Sequence, residues 1–355
     1  MTFIAGYIYN NATHIVADSA TTIPLSRQAK VPDELHRIQS SLGESPHITD
    51  EQIIVEADPK IYNIADRMLV AFAGRVLEGT QTIQDLTIQL GAHPRVADFL
   101  SLYFDQNILN KTEYVIAFHE DGLPCIFLKR PNESRLIRGQ RCLVLAGTTV
   151  NNMHVAVGTT LQDAFEHDYS QQETLVSVLT ILQAMSMHFQ SIRATRNGFS
   201  VGIGGHFNGA IAHHNHIEWA KDTAHVFYSA INWERGDKWF MFRYNRDNAT
   251  FIIGDRLKRL FTHEREANRQ HLMSKWAGPL TDMAIHCSCD FISFISYDRR
   301  NLVVVNNDPS KAHRVKIESG RLEISSNSPI GRHLFLNSSE DEGGNAPFLC
   351  YTNFV

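Results

Sequence analysis

Cysteine is scarce in this chain: there are five among 355 residues (Cys125, Cys142, Cys287, Cys289 and Cys350). An odd number in a long chain fits reduced thiols and excludes a fully paired disulfide framework. Long apolar runs are missing as well. No stretch approaches the ~18 consecutive apolar residues that a membrane helix needs, so the sequence offers nothing to span a bilayer. The opening Met-Thr-Phe-Ile-Ala-Gly-Tyr-Ile-Tyr lacks a basic n-region, so it does not read as a signal peptide. The expected location is therefore the cytoplasm, and the first residues are free to be functional. An excess of positive charge is also absent. The 33 Lys and Arg against 38 Asp and Glu leave a formal charge of -5, which gives no electrostatic reason to expect a nucleic-acid partner.

What is present is a globular composition, 43% hydrophobic and 20% charged, enough for one large domain and a smaller one. Residues 2 to 9 are rich in β-branched and aromatic types, Asn10-Asn11 supplies a turn that tolerates positive φ, and 12 to 17 is a second apolar run. That is a hairpin starting at the second residue. Residues 20 to 57 turn polar, with Pro24, Pro32 and Pro46, and read as a long excursion that adds little to the core. Lys60 to Gly74 returns to strands around Ala65-Asp66-Arg67.

Helical spacing of apolar residues predicts helices over Glu78 to Leu90, ended by Gly91, and over Arg95 to Leu109. A hairpin over 113 to 129 and strands at 134 to 138 and 142 to 147 follow. Two more helices, Val150 to Asp168 and Gln172 to Thr195, lead to a Gly-rich strand pair and a strand near Ala224 to Ala230. The order of strands, two helices, strands, two helices and strands is satisfied by two sheets between two helix layers, an α+β four-layer αββα sandwich over residues 2–230. Residues 231–355 read as a C-terminal α+β extension of unknown role, with strands at Trp239 to Tyr244, Phe251 to Ile253, Phe291 to Tyr297, Leu302 to Val305 and Val315 to Ile324. A charged helix is expected over Asp255 to Ser274, and a loose polar tail over Ser338 to Asn345.

The hairpin followed by Ala17-Asp18-Ser19-Ala20-Thr21-Thr22, then Lys60-Ile61-Tyr62 leading to Val70-Ala71-Phe72-Ala73-Gly74, resembles the start of a proteasome β subunit of the N-terminal-nucleophile (Ntn) hydrolase family. With Thr2 as the mature first residue, Asp18 falls at the family's distance from the nucleophile. The Lys60 to Gly74 spacing matches too. The resemblance covers roughly residues 2 to 230, with an inserted loop at about 20–57. The family's serine near the nucleophile corresponds best to Thr148 in Leu145-Ala146-Gly147-Thr148-Thr149, with Thr149 as the alternative. Two departures stand out: Ser200 and Ile203 occupy the positions of the Asp and Ser that precede the family's Gly-Gly pair, here Gly204-Gly205, and Ala20 stands where the family has an arginine.

The resemblance implies a threonine peptidase or amidase, cytoplasmic, assembled as a homo-oligomer of the kind that can close into a ring, acting on peptide or protein substrates with no cofactor and no metal. Thr2 would be the nucleophile once Met1 is removed, its α-amino group serving as the base. Lys60 would raise the local positive potential, Asp18 would fix Lys60, and the Gly74 N–H would face the oxyanion. Thr22 would pair its backbone with an extended substrate, while Thr21, Tyr62, Phe72 and Val76 would line the pocket before the scissile bond, with Phe72 as its floor. A catalytically silent scaffold or binding module of the same fold is the alternative, favoured by Ser200 and Ile203.

Each residue also has a plain structural reading. Asp18 could cap a turn, Lys60 end a strand in solvent, Gly74 mark a tight turn, and Thr148 cap a helix. His213, His214 and His216 suggest a metal, with 214 and 216 on one strand face. No carboxylate or cysteine at a recognised spacing accompanies them, so a metal is not expected. His286-Cys287-Ser288-Cys289-Asp290 reads as strand packing. Gly202, Gly204 and Gly205 lack the strand-then-helix context of a phosphate loop.

Overall fold

The computed structural model describes residues 2–24, 47–56, 60–91, 93–107, 112–147, 151–192, 205–228, 239–245, 248–253, 290–296, 301–306, 313–318, 321–326 and 331–335. Over these residues the protein is a mixed α/β structure with predominantly antiparallel sheets and four helices. No described helix is long and apolar enough to cross a membrane.

The chain begins with β1 (Phe3–Tyr9) and β2 (Ala12–Asp18), paired from Ile4↔Ala17 to Tyr9↔Ala12. Asn10 and Asn11 take φ of 48° and 56°, the left-handed pair that a two-residue hairpin turn of matching twist requires. Next come β3 (Ala20–Pro24), β4 (His47–Ile48) and β5 (Gln52–Glu56), a small sheet in the order β3-β5-β4. The excursion was expected to add little to the core; its β5 buries Ile53, Ile54 and Val55, with Ile54 packed on Ala20 in a small separate cluster. Three consecutive β-branched residues are a strand signal that the surrounding prolines and charges masked. Residues 25–46, which hold Pro32 and Pro46, lie outside the described residues.

β6 (Ile61–Ile64) and β7 (Met68–Ala73) follow, joined through Ala65 and Asp66 at φ of 53° and 52°, then α1 (Val76–Leu90) and α2 (Val96–Gln106). Gly91 ends α1 in right-handed geometry (φ −57°), so that helix does not stop through a left-handed glycine. β8 (Glu113–Glu120), β9 (Leu123–Arg130), β10 (Glu133–Arg138) and β11 (Cys142–Gly147) precede α3 (Asn151–Glu166) and α4 (Gln171–Ile192), and β12 (Phe207–Ala212) and β13 (Ile217–Trp219) form the next hairpin. One sheet runs β11-β1-β2-β12-β13 and a second β10-β9-β8-β7-β6.

Both sheets are apolar on both faces, and the alternation along β1 shows why. Phe3, Ala5, Tyr7 and Tyr9 join a cluster with Val157, Leu179 and Leu182 of α3 and α4. Ile4 and Ile8 point the other way, into a cluster shared with Leu69, Val115 and Ile126 of the second sheet. The far face of that sheet, with Met68, Val70 and Phe127, packs on Leu86 of α1 and Phe104 of α2. Strands buried on both sides carry near-continuous apolar runs, as these do.

β14 (Thr223–Tyr228), β15 (Trp239–Asn245), β16 (Asn248–Ile253), β17 (Phe291–Ser296) and β18 (Asn301–Asn306) continue the chain, followed by β19 (His313–Glu318), β20 (Arg321–Ser326) and β21 (Gly331–Phe335). The third large sheet is ordered β16-β15-β14-β17-β18-β21, and among the described residues β19 pairs only with β20. β14 pairs antiparallel with β15 and parallel with β17, so the strand expected to close the first unit belongs to this later sheet. The single run expected at Val315 to Ile324 is a hairpin. The helix expected over 255–274 and the tail over 338–345 lie outside the described residues.

Candidate functional site

Thr2 immediately precedes β1, Asp18 ends β2, and Lys60 leads into β6, so the hairpin register and the facing of the two sheets determine where these three side chains meet. Lys60 Nζ donates to Thr2 Oγ1 at 2.9 Å and to Asp18 Oδ1 at 2.8 Å. The same Asp18 oxygen accepts the Phe3 N–H at 3.0 Å. All three side chains are buried: Thr2, Asp18 and Lys60 retain 6%, 1% and 7% of their surface.

Burial pulls the Lys60 ammonium below its ordinary pKa, and the charge and hydrogen bond of Asp18 oppose that pull. An isolated charge here would be costly, whereas an ion pair joined by a direct hydrogen bond is tolerated. Because the Thr2 hydroxyl oxygen accepts from Lys60, its own proton must point to a different acceptor. The arrangement thus holds a hydroxyl beside a cation and leaves its proton to a second group.

Gly74 follows β7 at φ 145°, and a Cβ there would stand 2.8 Å from Thr112 Oγ1 and 2.9 Å from Thr112 Cα, so the position accepts only glycine without movement. Gly147, at the end of β11 opposite Phe3, was missed as a site residue. At φ 79° its Cβ would fall 2.1 Å from the Thr2 carbonyl oxygen and 2.9 Å from Ala73 Cβ. Its N–H donates to Glu113 Oε2 at 2.8 Å. The available signal was a glycine at a strand end next to the threonines compared with the family's serine. Thr148 and Thr149 themselves, and Ser200 and Ile203, lie outside the described residues.

Of the expected pocket residues, Tyr62 and Phe72 are brought together, their rings stacked at 5.9 Å and 14°. Phe72 is 5% exposed and packs on α1 at Gly79, where a Cβ would stand 2.1 Å from the ring. Val76 opens α1 and is 46% exposed. Thr21 and Thr22 lie on β3 in register with Val55 and Ile54, and among the described residues β3 is an outer strand of its sheet.

Behind Asp18, the Ser19 hydroxyl donates to Glu56 Oε1 at 3.0 Å, and the His206 N–H reaches Ser19 Oγ at 3.0 Å and Glu56 Oε1 at 3.1 Å. His206 Nδ1 also contacts Glu56 Oε1. Neither Glu56 nor His206 carried a local signal, because β5 and β12 bring them to Ser19 from distant parts of the chain.

The histidines sort differently from the expectation. His213 and His216 face each other across the turn between β12 and β13, with rings stacked at 4.3 Å, while the His214 ring lies against His119 at 5.3 Å. A carboxylate accompanies the first pair after all, since Glu218 Oε2 lies 3.2 Å from His213 Nε2.

Compared with protein-family models and with curated proteins, the chain matches none.

Proposed function

We propose that the chain is a threonine-type N-terminal-nucleophile amidohydrolase resembling proteasome β subunits, built as a four-layer αββα sandwich and acting on a peptide or protein substrate through Thr2. The observation that carries this reading is the Lys60 ammonium bonded at once to Thr2 Oγ1 and Asp18 Oδ1 in a buried setting. A solvated strand-end lysine or a turn-capping aspartate has no reason to meet a threonine hydroxyl there. The three apolar clusters, one between the sheets and one between each sheet and its helix pair, support the sandwich.

In the proposed reaction, removal of Met1 frees the Thr2 α-amine, whose reference pKa of about 7.7 to 8.0 suits a base near neutrality. The amine takes the Oγ1 proton as the oxygen attacks the substrate's amide carbon. The developing oxyanion is met by the Gly74 N–H. Collapse expels the amine leaving group, which takes the proton from the Thr2 ammonium, and leaves an ester on Oγ1. Water, deprotonated by the same α-amine, hydrolyses that ester and restores the threonine. Lys60 stabilises negative charge on Oγ1, and Asp18 keeps Lys60 charged and placed. Thr22 would pair its backbone with an extended substrate, and the stacked Tyr62 and Phe72 rings would form a pocket floor that favours small apolar side chains.

Intact mass, followed by labelling with a peptide epoxyketone, tests the proposal. The expected result is a chain lacking Met1, labelled on Thr2, with labelling abolished in Thr2→Ala and reduced in Lys60→Ala. A retained Met1, or label carried elsewhere, overturns it. Faster turnover of a substrate with a bulky aromatic before the scissile bond than of its alanine analogue would remove the pocket assignment.

A further inference from the structure

We propose that His213, His216 and Glu218 bind a divalent transition-metal ion of the zinc class at the β12–β13 turn, a site separate from Thr2. The donor atoms of these three side chains all lie within 4.8 Å of one another. The backbone brings them together before any ion arrives, because the His213 N–H bonds the His216 carbonyl at 2.9 Å and closes the turn, and β13 pairs with β12 through Ile211↔Glu218.

Strand alternation places the carboxylate. Ile217 and Trp219 of β13 pack against the cluster between the two sheets, so Glu218 projects from the opposite face, beside His213. The 3.2 Å between His213 Nε2 and Glu218 Oε2 is close to the roughly 3.3 Å that separates two ligands held about 2.0–2.1 Å from a tetrahedral zinc. His216 is exposed at the turn, so its ring can swing from the stacked position at 4.3 Å to complete the set at the modest cost of a rotamer adjustment.

Two imidazoles and one carboxylate are borderline ligands that suit zinc, nickel or copper ions, and are poorly matched to the all-oxygen shells of magnesium and calcium. A cleft of about 350 Å³ opens beside the turn and is lined in part by His213, His214, Asp66 and Arg67, so His213 borders solvent-accessible space. Three protein ligands and a water is the usual arrangement of an open zinc site.

The site is remote from the candidate nucleophile. β12 runs from Phe207, opposite Asp18, to Ala212, opposite Thr13, which puts the turn roughly 17 Å along the strand from the Thr2 end. The ion therefore acts on the hairpin, by tying its turn to β13, and does not touch Thr2 chemistry.

The test uses the full chain stripped with a chelator and titrated calorimetrically with zinc chloride, then with cobalt chloride followed by visible absorption. One zinc per chain is expected at this site, with binding weakened by more than the 10–100-fold typical of losing an outer-shell partner in His216→Ala and in Glu218→Gln. Zinc should raise the unfolding temperature of the wild type and lose that effect in both variants. Cys287→Ser/Cys289→Ser should bind as the wild type does. Wild-type zinc affinity in both site variants, magnesium binding as tight as zinc, or no zinc binding by the stripped chain overturns the assignment. So does a thiolate-to-cobalt charge-transfer band that disappears in the double-cysteine variant.

Discussion

The carbonyl oxygen of Thr2 occupies the space where a side chain at position 147 would begin: a Cβ on Gly147 would stand 2.1 Å from it. Gly147→Ala must therefore move the segment that carries Thr2 as well as hold φ 79°. Strain of that kind costs on the order of 1–3 kcal/mol. The expected outcome is a lower midpoint in urea together with slower epoxyketone labelling of Thr2. Wild-type values for both would show that β1 and β11 have room to separate.

Lys60 and Asp18 form a buried pair, and each depends on the other for compensation of its charge. Lys60→Met should destabilise by roughly 3–5 kcal/mol, because the Asp18 carboxylate stays buried without its cation. Lys60→Met/Asp18→Asn should recover part of that loss. A double-mutant cycle in urea measures the coupling, and additive effects would contradict it.

Gly79 lies inside α1, where replacing glycine by alanine ordinarily stabilises a helix by about 1 kcal/mol. Here the new methyl would meet the Phe72 ring, 2.1 Å from its nearest carbon. Overpacking costs typically 1–3 kcal/mol, so Gly79→Ala should lower stability. The sign of the change in thermal midpoint decides whether the Phe72 ring is held against α1.

His14 and His225 are fully buried, and burial pushes both imidazoles down to about 3 from an ordinary 6.5. The unfolded chain then binds more protons than the folded one between those values. Their contribution to stability is complete above pH 6.5 and is lost as pH falls toward 3, at up to about 1.4 kcal/mol per pH unit for each ring. His14→Phe, which keeps a ring for the 4.6 Å stack on Tyr7, should flatten the acid side of a stability–pH curve by about one proton. An unchanged slope would mean that His14 is not held neutral.

Local pattern announced much of the fold. The Asn10-Asn11 hairpin, the hairpin over 113 to 129 and four helices were legible because each depends on neighbours a few residues away. The three-stranded sheet of β3, β4 and β5 was not, since the prolines before it outweighed the short Ile53-Ile54-Val55 run. At the candidate site, Thr2, Asp18 and Lys60 were singled out only by the resemblance to a known family, whose distances they match. Gly147, Glu56 and His206 were not, because pairing between distant strands gives them their neighbours. Glu218 was overlooked for a related reason: the strand face, and not a ligand spacing in the sequence, sets it beside His213.

The position of β1 and β2 inside their sheet has a kinetic consequence. β1 needs β11 on one side, and β2 needs β12 on the other, with Asp18 waiting for Phe207 and Phe3 for Gly147. During synthesis the β1–β2 hairpin stays open along both outer edges until β11 and β12 have followed. Pairings this far apart in sequence form slowly, and bare apolar edges invite association with other chains meanwhile. The geometry around Thr2 therefore waits on strands more than a hundred residues further along the chain.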